Sequence, residues 1–392
     1  MLEVFESHYG HQPIIRKIFS PYRVCPLGAH IDHQHGLVSG FAIDKGVELI
    51  FSPSPDSFVE MRSLTFRGEI SLDLQLPSVI QKNDWGDYLR GTVYALKKRF
   101  CLRYGIKGLI KGSLPIGGLS SSAAVLVAYT LALCDANEIS LTPMELIRIT
   151  SEAEREFVGL NNGILDQASV VLSEKDNLLY LDTDNNDYRL LPTSHDMPAF
   201  EVGIIFSGLT RSLISSDYNL RVSECKVAAW NILAAKKQTL NTLDKTFLRD
   251  IPEIFFHETK EMFPERYRRR AEHFYSECNR VKQGMNTWQK GDLRTFGQLI
   301  FESCESSIHN YECGSPELIA IYDIMRTTNG IYGGRFSGAG FKGACICLLD
   351  PAKKDKIARK IKAKYLELFP QYKSSFEFHT CQTESGARFI QP

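Results

Sequence analysis

The stretch Lys111-Gly-Ser-Leu-Pro-Ile-Gly-Gly-Leu-Ser-Ser-Ser-Ala-Ala-Val-Leu-Val-Ala128 changes from turn-forming polar residues to an apolar, alanine-rich run. Gly117 and Gly118 have no Cβ, so the backbone there can bend sharply and approach a ligand closely. The serines at 120–122 follow at the expected start of a helix, where serine side chains cap free N–H groups. Free N–H groups, the helix dipole and the hydroxyls together favour binding of a phosphate and its Mg²⁺.

The same stretch also fits an ordinary loop before a core helix. It is not a Walker A loop, because no Gly-Lys-Ser/Thr follows the glycines. It does not match the dinucleotide-binding fingerprint of a Rossmann fold either. The phosphate-binding interpretation therefore depends on other segments of the chain.

Composition gives no support for several broad classes of function. A chain of 392 residues is long enough for about two or three domains of ~150 residues. The 46 basic and 46 acidic residues balance, so charge gives no argument for a nucleic-acid or anionic-membrane partner. The ten cysteines include no CxxC pair, which fits a reducing cytosol better than a disulfide framework.

Targeting signals are not evident in the sequence. The first ten residues lack the basic and apolar regions of a secretory signal. No run approaches the ~18 apolar residues of a membrane-spanning helix. We therefore expect a soluble, cytoplasmic protein.

The segment from Gly28 to Gly36 is dense in ionisable side chains. It contains His30, Asp32 and His33, but their spacing matches no common metal motif. A loop that hydrogen-bonds a polyhydroxylated ligand is favoured, with Asp32 accepting from hydroxyls and His30 donating or accepting.

Further along, residues 142–157 are predicted to form a helix that starts at a Thr-Pro signal. Glu154 on this helix has an ordinary interpretation as solvated surface. Asp166 follows an Asn-Gly turn and opens an apolar run, where it is either a helix cap or a general base. The residues alone leave both alternatives open. A second glycine-rich loop precedes an apolar strand, over residues 330–349.

Three segments in order resemble the GHMP small-molecule kinases, and within them the galactokinase branch. Residues 23–32 are similar to the galactokinase signature, residues 118–124 to the family's phosphate loop, and residues 334–343 to its C-terminal glycine loop. Residues 157–167, Arg211 and Tyr218 agree further. The ordered set is far more specific than any one motif.

The resemblance implies an α+β, two-domain GHMP kinase fold with the active site between the domains. Residues 1–195 would form the N-terminal domain, similar to ribosomal protein S5 domain 2, and residues 196–392 a ferredoxin-like C-terminal domain. The implied reaction transfers the γ-phosphate of ATP, with Mg²⁺, to the C1 hydroxyl of a sugar. No nucleic-acid or membrane partner is implied.

The resemblance also implies site residues by position. Asp166 would be the catalytic base, and Arg23 would stabilise the developing charge. Ser122 and Glu154 would bind Mg²⁺. The expected sugar-binding residues are Ala29, His30, Asp32 and Tyr218. The expected ATP-binding residues are Gly117, Gly118, Leu119, Ser120, Ser121, Ser122, Gly338 and Gly340.

Three positions depart from the family pattern. Ala29 stands where galactokinases usually have a glutamate, the residues between Pro115 and Gly118 are one fewer than usual, and Lys342 replaces a frequent glycine. The last two affect the phosphate contacts, whereas the first bears on the substrate.

Ala29 favours galacturonate as the sugar. The resemblance places the replaced glutamate near the galactose C6 hydroxyl, and galacturonate has a carboxylate at C6. Two carboxylates in contact would repel by roughly 4 kcal/mol at an effective dielectric of ~20. Alanine removes this repulsion, and His30, His33 or Arg211 is available to donate to the substrate carboxylate.

Two alternative functions remain at this point. One is a galactokinase, or a kinase for a related sugar, in which Ala29 does not set specificity. The other is a catalytically silent, galactokinase-like sensor of sugar and ATP. The presence of Arg23, Ser122, Glu154 and Asp166 argues against the sensor.

Overall fold

The computed structural model describes residues 1–115, 117–209 and 215–392. Its strands are β1 Arg16–Val24, β2 Leu37–Pro53, β3 Phe58–Ser63, β4 Glu69–Asp73, β5 Ile106–Gly112, β6 Asn177–Asp182, β7 Tyr188–Pro192, β8 Glu201–Phe206, β9 Ile331–Phe336, β10 Ala344–Leu349, β11 Glu377–Cys381, β12 Thr383–Glu384 and β13 Arg388–Ile390. Its α-helices are α1 Leu2–Tyr9, α2 Asp87–Lys97, α3 Ser121–Ala136, α4 Pro143–Glu152, α5 Leu165–Leu172, α6 Ser215–Ala235, α7 Glu253–Thr259, α8 Glu265–Gln289, α9 Leu293–His309, α10 Pro316–Arg326 and α11 Lys354–Leu368.

The strands of the described residues form two sheets. The first has the order β13-β1-β2-β5-β3-β4, and the long strand β2 also pairs with β6 and β12. Within it β3 and β5 run parallel to each other. Strand β2 lies between β1 and β5 and runs antiparallel to both. The second sheet has the order β11-β8-β10-β9 and is antiparallel. A mixed sheet and an antiparallel sheet, each with helices against it, confirm the predicted α+β class.

Helix α3 lies at the centre of the N-terminal half. Its residues from Ala123 to Ala136 are apolar on nearly every side, a pattern that fits a helix surrounded by protein. It packs against β1 and β2 and contacts α2, α4 and α5. This position holds the N-terminus of α3, and with it the serines, near the end of β1, where Arg23 contacts Ser120.

The C-terminal end of the chain returns to the first sheet. After β11 has joined the second sheet, β12 pairs with β2 and β13 pairs with β1. The predicted domain boundary at residue 195 lies between β7 and β8 and stays a prediction. The last strands nevertheless tie the two sheets together.

Several element predictions are confirmed and others are wrong. Thr142 and Glu145 form a capping box at the start of α4, as the Thr-Pro signal indicates. The predicted helix 142–157 is not uniform, because Ala153–Val158 is a π turn. The sequence analysis predicts no helix at α7, α9 or α11. Among the described residues, no helix has the length and apolarity needed to cross a membrane.

Candidate active site

A concave site opens between the two halves of the molecule. It is a cavity of about 420 Å³ lined by both glycine-rich loops, by residues 23–32 and by the start of α5. Sequence-predicted residues at its wall are Arg23, Ala29, His30, Asp32, Gly117, Gly118, Ser120, Ser121, Ser122, Asp166, Tyr218 and Gly338. The fold therefore brings together residues that lie almost 320 positions apart in the sequence.

The two glycine loops pack backbone against backbone. We call residues 113–120 the first glycine loop and residues 337–343 the second. A Cβ on Gly343 would lie 2.7 Å from the carbonyl carbon of Gly117, and one on Gly118 would lie 2.9 Å from the nitrogen of Ala344. Gly117, Gly118 and Gly343 all have positive φ. Glycine is required here because any side chain would separate the loops.

Arg23 and Asp166 form an ion pair at the centre of the cavity wall. Arg23 follows a register irregularity in β1, a feature that re-aims side chains at the end of a strand. Its Nε donates to Asp166 Oδ1 at 2.7 Å, and its Nη1 donates to the carbonyl of Gly118 at 3.3 Å. Nη2 donates to the Ser120 hydroxyl, which in turn donates to Asp166 Oδ2. One arginine thus connects the carboxylate to the first glycine loop.

Ser120 differs from its predicted role as a helix cap. It occupies the N-cap position of α3, but its backbone is left-handed at φ 49° and its side chain makes no capping bond. A non-glycine residue in this conformation is strained and is concentrated at functional sites. Its hydroxyl is turned to the ion pair instead, so the N–H groups that open α3 are not satisfied by this side chain.

Glu154 is buried, which corrects its interpretation as solvated surface. It lies on the π turn and is 1% exposed. Its carboxylate accepts from Asn162 at 2.9 Å and from Gln167 at 2.5 Å. Burial and the charge of Asp166 raise its pKa above the ordinary range, and the Ser122 hydroxyl partly opposes the shift. Among the described residues it has no cationic partner, so the site has room for a positive charge.

Asp32 also lies in the cavity wall. It accepts the backbone N–H groups of His33 at 3.0 Å and Leu165 at 3.3 Å. Gly163 permits this approach, since a Cβ there would lie 2.5 Å from the Asp32 carboxyl carbon. Burial, followed by repulsion from Asp166, raises the pKa of Asp32 to about 6. The remaining acceptor positions suit the hydroxyls of a sugar.

Aromatic side chains lie near Asp32. His30 has left-handed backbone geometry at φ 64° and stacks on Tyr311, with ring centroids 4.5 Å apart. Burial, reinforced by Arg335, lowers the pKa of His30 well below its usual value, so the ring is neutral. Tyr218 on α6 meets the edge of His33, with centroids 6.1 Å apart. His33 is buried outside the cavity wall, where burial lowers its pKa to about 3.

Helix α8 supports the loop that carries Ala29. Glu277 accepts the backbone N–H of Gly28 at 2.7 Å, and His273 Nε2 lies 3.0 Å from the carbonyl oxygen of Ala29. Glu277 is fully buried and also faces Arg335, 3.6 Å away. These contacts fix the backbone on both sides of Ala29.

Some predicted residues do not reach the cavity, and others were missed. Leu119 is buried in the core, Gly340 packs on Cys313, and the buried Glu154 is not among the wall residues. Arg211 lies outside the described residues. The wall also contains residues that the sequence reasoning did not assign to the site, namely Cys25, Tyr88, Val158, Gly159, Leu160, Asn162, Leu165, Phe336, Ser337, Ala339, Phe341 and Lys342. Asn162 belongs to the segment that resembles the family, but we interpreted its Asn-Gly pair as a turn and gave the side chain no role.

Comparison with family models agrees with this geometry. Residues 3–53 match the galactokinase galactose-binding signature, residues 87–174 the N-terminal domain of GHMP kinases, and residues 286–367 their C-terminal domain. The chain belongs to the GHMP kinase family. Within it, the galactose-binding signature marks the galactokinase branch.

Individual relatives of this GHMP kinase cover nearly the whole chain. A galacturonokinase from Arabidopsis thaliana is 41% identical, over 96% of this chain and 94% of the relative. A galactokinase from Thermotoga maritima is 31% identical, over 95% of this chain and 100% of the relative. The crystal structure of Lactococcus lactis galactokinase complexed with galactose superposes with a TM-score of 0.90 at 26% identity, covering 99% of this chain and 98% of that one. The predicted fold is thereby confirmed.

Proposed function

We propose that this GHMP kinase transfers the γ-phosphate of ATP to the C1 hydroxyl of galacturonate, giving galacturonate 1-phosphate and ADP. The observation that carries the proposal is the placement of the Arg23–Asp166 pair between the first glycine loop and the loop of Ala29. A base, a cation and a phosphate cradle then meet in one cavity of about 420 Å³. The 41% identity to a galacturonokinase supports the choice of sugar.

In this proposal Asp166 acts as the general base. The C1 oxygen attacks the γ-phosphorus while Asp166 takes the hydroxyl proton, and the bond to the bridging oxygen breaks toward ADP. Arg23 holds the carboxylate in position and stabilises negative charge on the transferring group. The bond from Arg23 to the carbonyl of Gly118 keeps this charge beside the first glycine loop.

Ser122 and Glu154 are the residues that would hold Mg²⁺. A buried carboxylate without a cationic partner beside a hydroxyl is a donor set of the hard oxygen type that this ion prefers. The described residues contain no cluster of three or more His, Cys, Asp or Glu that would hold a metal unaided, so the nucleotide phosphates would complete the coordination. When bound, Mg²⁺ would neutralise part of the negative charge of the phosphates.

Galacturonate is favoured over galactose by the wall around Ala29. The side chain is 7% exposed, lies at the cavity surface and brings no negative charge. Its loop is fixed by Glu277 and His273, so a substrate carboxylate there would meet a rigid wall rather than a repelling glutamate. A galactose hydroxyl would lack the acceptor that a glutamate supplies.

The test is release of ADP, measured with a panel of hexoses and uronic acids at saturating ATP and Mg²⁺. Galacturonate should give the highest kcat/KM. Equal or better turnover of galactose would favour a galactokinase. Binding of sugar and ATP without turnover of any panel member would favour the non-catalytic sensor.

A further inference from the structure

Lys342 is a cation in the cavity wall that the proposed chemistry leaves unused. It lies in the second glycine loop, at a position where the family often has glycine, and its side chain is half-buried. Among the described residues it makes no ion pair and no hydrogen bond. A partly buried ammonium group that faces a cavity without a partner is suited to an anionic ligand.

The backbone next to Lys342 is fixed against the first glycine loop. The carbonyl of Gly343 accepts from both the backbone N–H and the hydroxyl of Ser207, each at 3.0 Å. On its other side Gly343 packs on Gly117. Lys342 therefore starts from a defined point at the glycine-loop end of the cavity.

The charges of the cavity wall make this lysine distinctive. The first glycine loop and the serines after it, residues 113–122, contain no lysine or arginine. Arg23 is occupied by Asp166, Ser120 and the carbonyl of Gly118. Of the two cations in the described wall, Lys342 is then the one whose side chain is not held by protein partners.

We propose that Lys342 binds the terminal phosphates of the nucleotide, donating from Nζ to a non-bridging oxygen of the β- or γ-phosphate. The inference rests on the proposed ATP-dependent activity. A lysine acts on phosphate as a mobile point charge and does not need the planar geometry of arginine. Lys342 thus supplies the side-chain cation that the first glycine loop lacks.

The carboxylate of the sugar is the competing anion for Lys342. Ala29, where we place that carboxylate, lies on a loop held by α8. Lys342 instead belongs to the loop that packs on Gly117. The position of Lys342 beside the first glycine loop favours the nucleotide, and the two ligands are distinguishable by experiment.

The first experiment measures nucleotide binding without sugar, by calorimetry, in the full-length protein. Lys342→Met should weaken binding of ADP, ATP or both by roughly tenfold or more, which is the scale of a hydrogen bond to a charged group. The affinity for AMP should stay within about twofold of wild type. A loss confined to ATP assigns the contact to the γ-phosphate. Lys342→Arg should restore most of the affinity. The matched control is Lys111→Met, which removes an exposed lysine of β5 outside the cavity wall.

Unchanged ADP and ATP affinities in a folded Lys342→Met protein would overturn the inference while leaving the kinase assignment intact. Thermal unfolding checks the fold, and Lys342→Gly, which installs the residue frequent in the family, provides a second variant. Absence of nucleotide binding by the wild type would instead overturn the proposed function, and this inference with it.

The second experiment compares the two sugars. A nucleotide contact predicts that Lys342→Met raises the KM for ATP and lowers kcat/KM by the same factor with galacturonate and with galactose. A loss confined to galacturonate would assign Lys342 to the sugar carboxylate and would overturn the inference.

Discussion

Arg23 Nε lies 2.7 Å from Asp166 Oδ1, and the Ser120 hydroxyl bridges the same two side chains. The Arg23 side chain is 4% exposed and that of Asp166 is 18% exposed, so the carboxylate keeps its access to the cavity while the arginine is covered. An ion pair with one accessible member fits a base that is held in position for a substrate hydroxyl.

Asp166→Asn should lower kcat by roughly 10²-fold or more, since the amide cannot accept the hydroxyl proton. Galacturonate affinity should change little because the side chain keeps its shape. Steady-state kinetics and calorimetry give the two quantities. Asp196→Asn, an exposed substitution outside the cavity, is the control. Near wild-type kcat in the Asp166 variant would remove this residue from the mechanism.

Glu154→Gln should raise the Mg²⁺ concentration needed for half-maximal activity roughly tenfold or more. The amide retains the volume of the side chain but loses the charge. Glu156→Gln is the matched control, because Glu156 lies on the same π turn, is exposed and pairs with Lys98. Glu156→Gln should give the Mg²⁺ titration of the wild type. If Glu154→Gln gives that titration too, Glu154 is a structural residue only.

Asp32→Asn should change how stability depends on pH. Burial, with Asp166, raises the pKa of Asp32 to about 6 in the folded protein from 3.8. A carboxyl group whose pKa is raised by folding contributes to the free energy of unfolding. This contribution is fully present below pH 3.8 and is lost as the pH rises through 6. The wild type should therefore lose stability relative to Asp32→Asn between these values, by at most about 3 kcal/mol.

Denaturant unfolding at several pH values measures this difference. Asparagine alters the hydrogen bonds of the site, so the free energy of unfolding should also differ by an amount that does not depend on pH. This constant offset does not affect the test, which concerns only how the difference changes with pH. Asp196→Asn should give a curve parallel to wild type. A flat difference for Asp32→Asn would contradict the shifted pKa.

Glu277→Ala should destabilise the protein by about 3–5 kcal/mol, since it leaves Arg335 buried without its anionic partner. It should also raise the KM for the sugar, because the N–H of Gly28 loses its acceptor. Thermal unfolding and kinetics measure the two effects. Glu302→Ala, on the exposed side of α9, is the control and should be close to wild type. A stable variant with an altered KM would separate the two roles.

Much of the site follows from local sequence, because the glycine loops, Arg23 and Asp166 lie in short ordered motifs. The environment of Glu154 does not follow from local sequence. A regular helix gives no reason to bury it, and the π turn that does so depends on packing against α2. The same holds for Ser120, whose cap position was predicted but whose hydroxyl is bound by Arg23 from another element.

The support of Ala29 was also beyond local reasoning. Gly28 and Glu277 are 249 positions apart, and nothing in the pattern of α8 indicates that its buried carboxylate meets this loop. The resemblance predicted which residue types surround the substrate. The contacts that hold them come from the assembled fold.

The central claim is that the kinase selects galacturonate through Ala29. The most direct measurement offers equal concentrations of galacturonate and galactose to the wild type and to Ala29→Glu, and identifies the sugar 1-phosphates by mass spectrometry. We expect mainly galacturonate 1-phosphate from the wild type. In Ala29→Glu the ratio of the two products should shift toward galactose 1-phosphate by roughly tenfold or more, because contact between two carboxylates costs roughly 4 kcal/mol at an effective dielectric of ~20. A wild type that makes mainly galactose 1-phosphate, or an unchanged ratio in Ala29→Glu, would contradict the account.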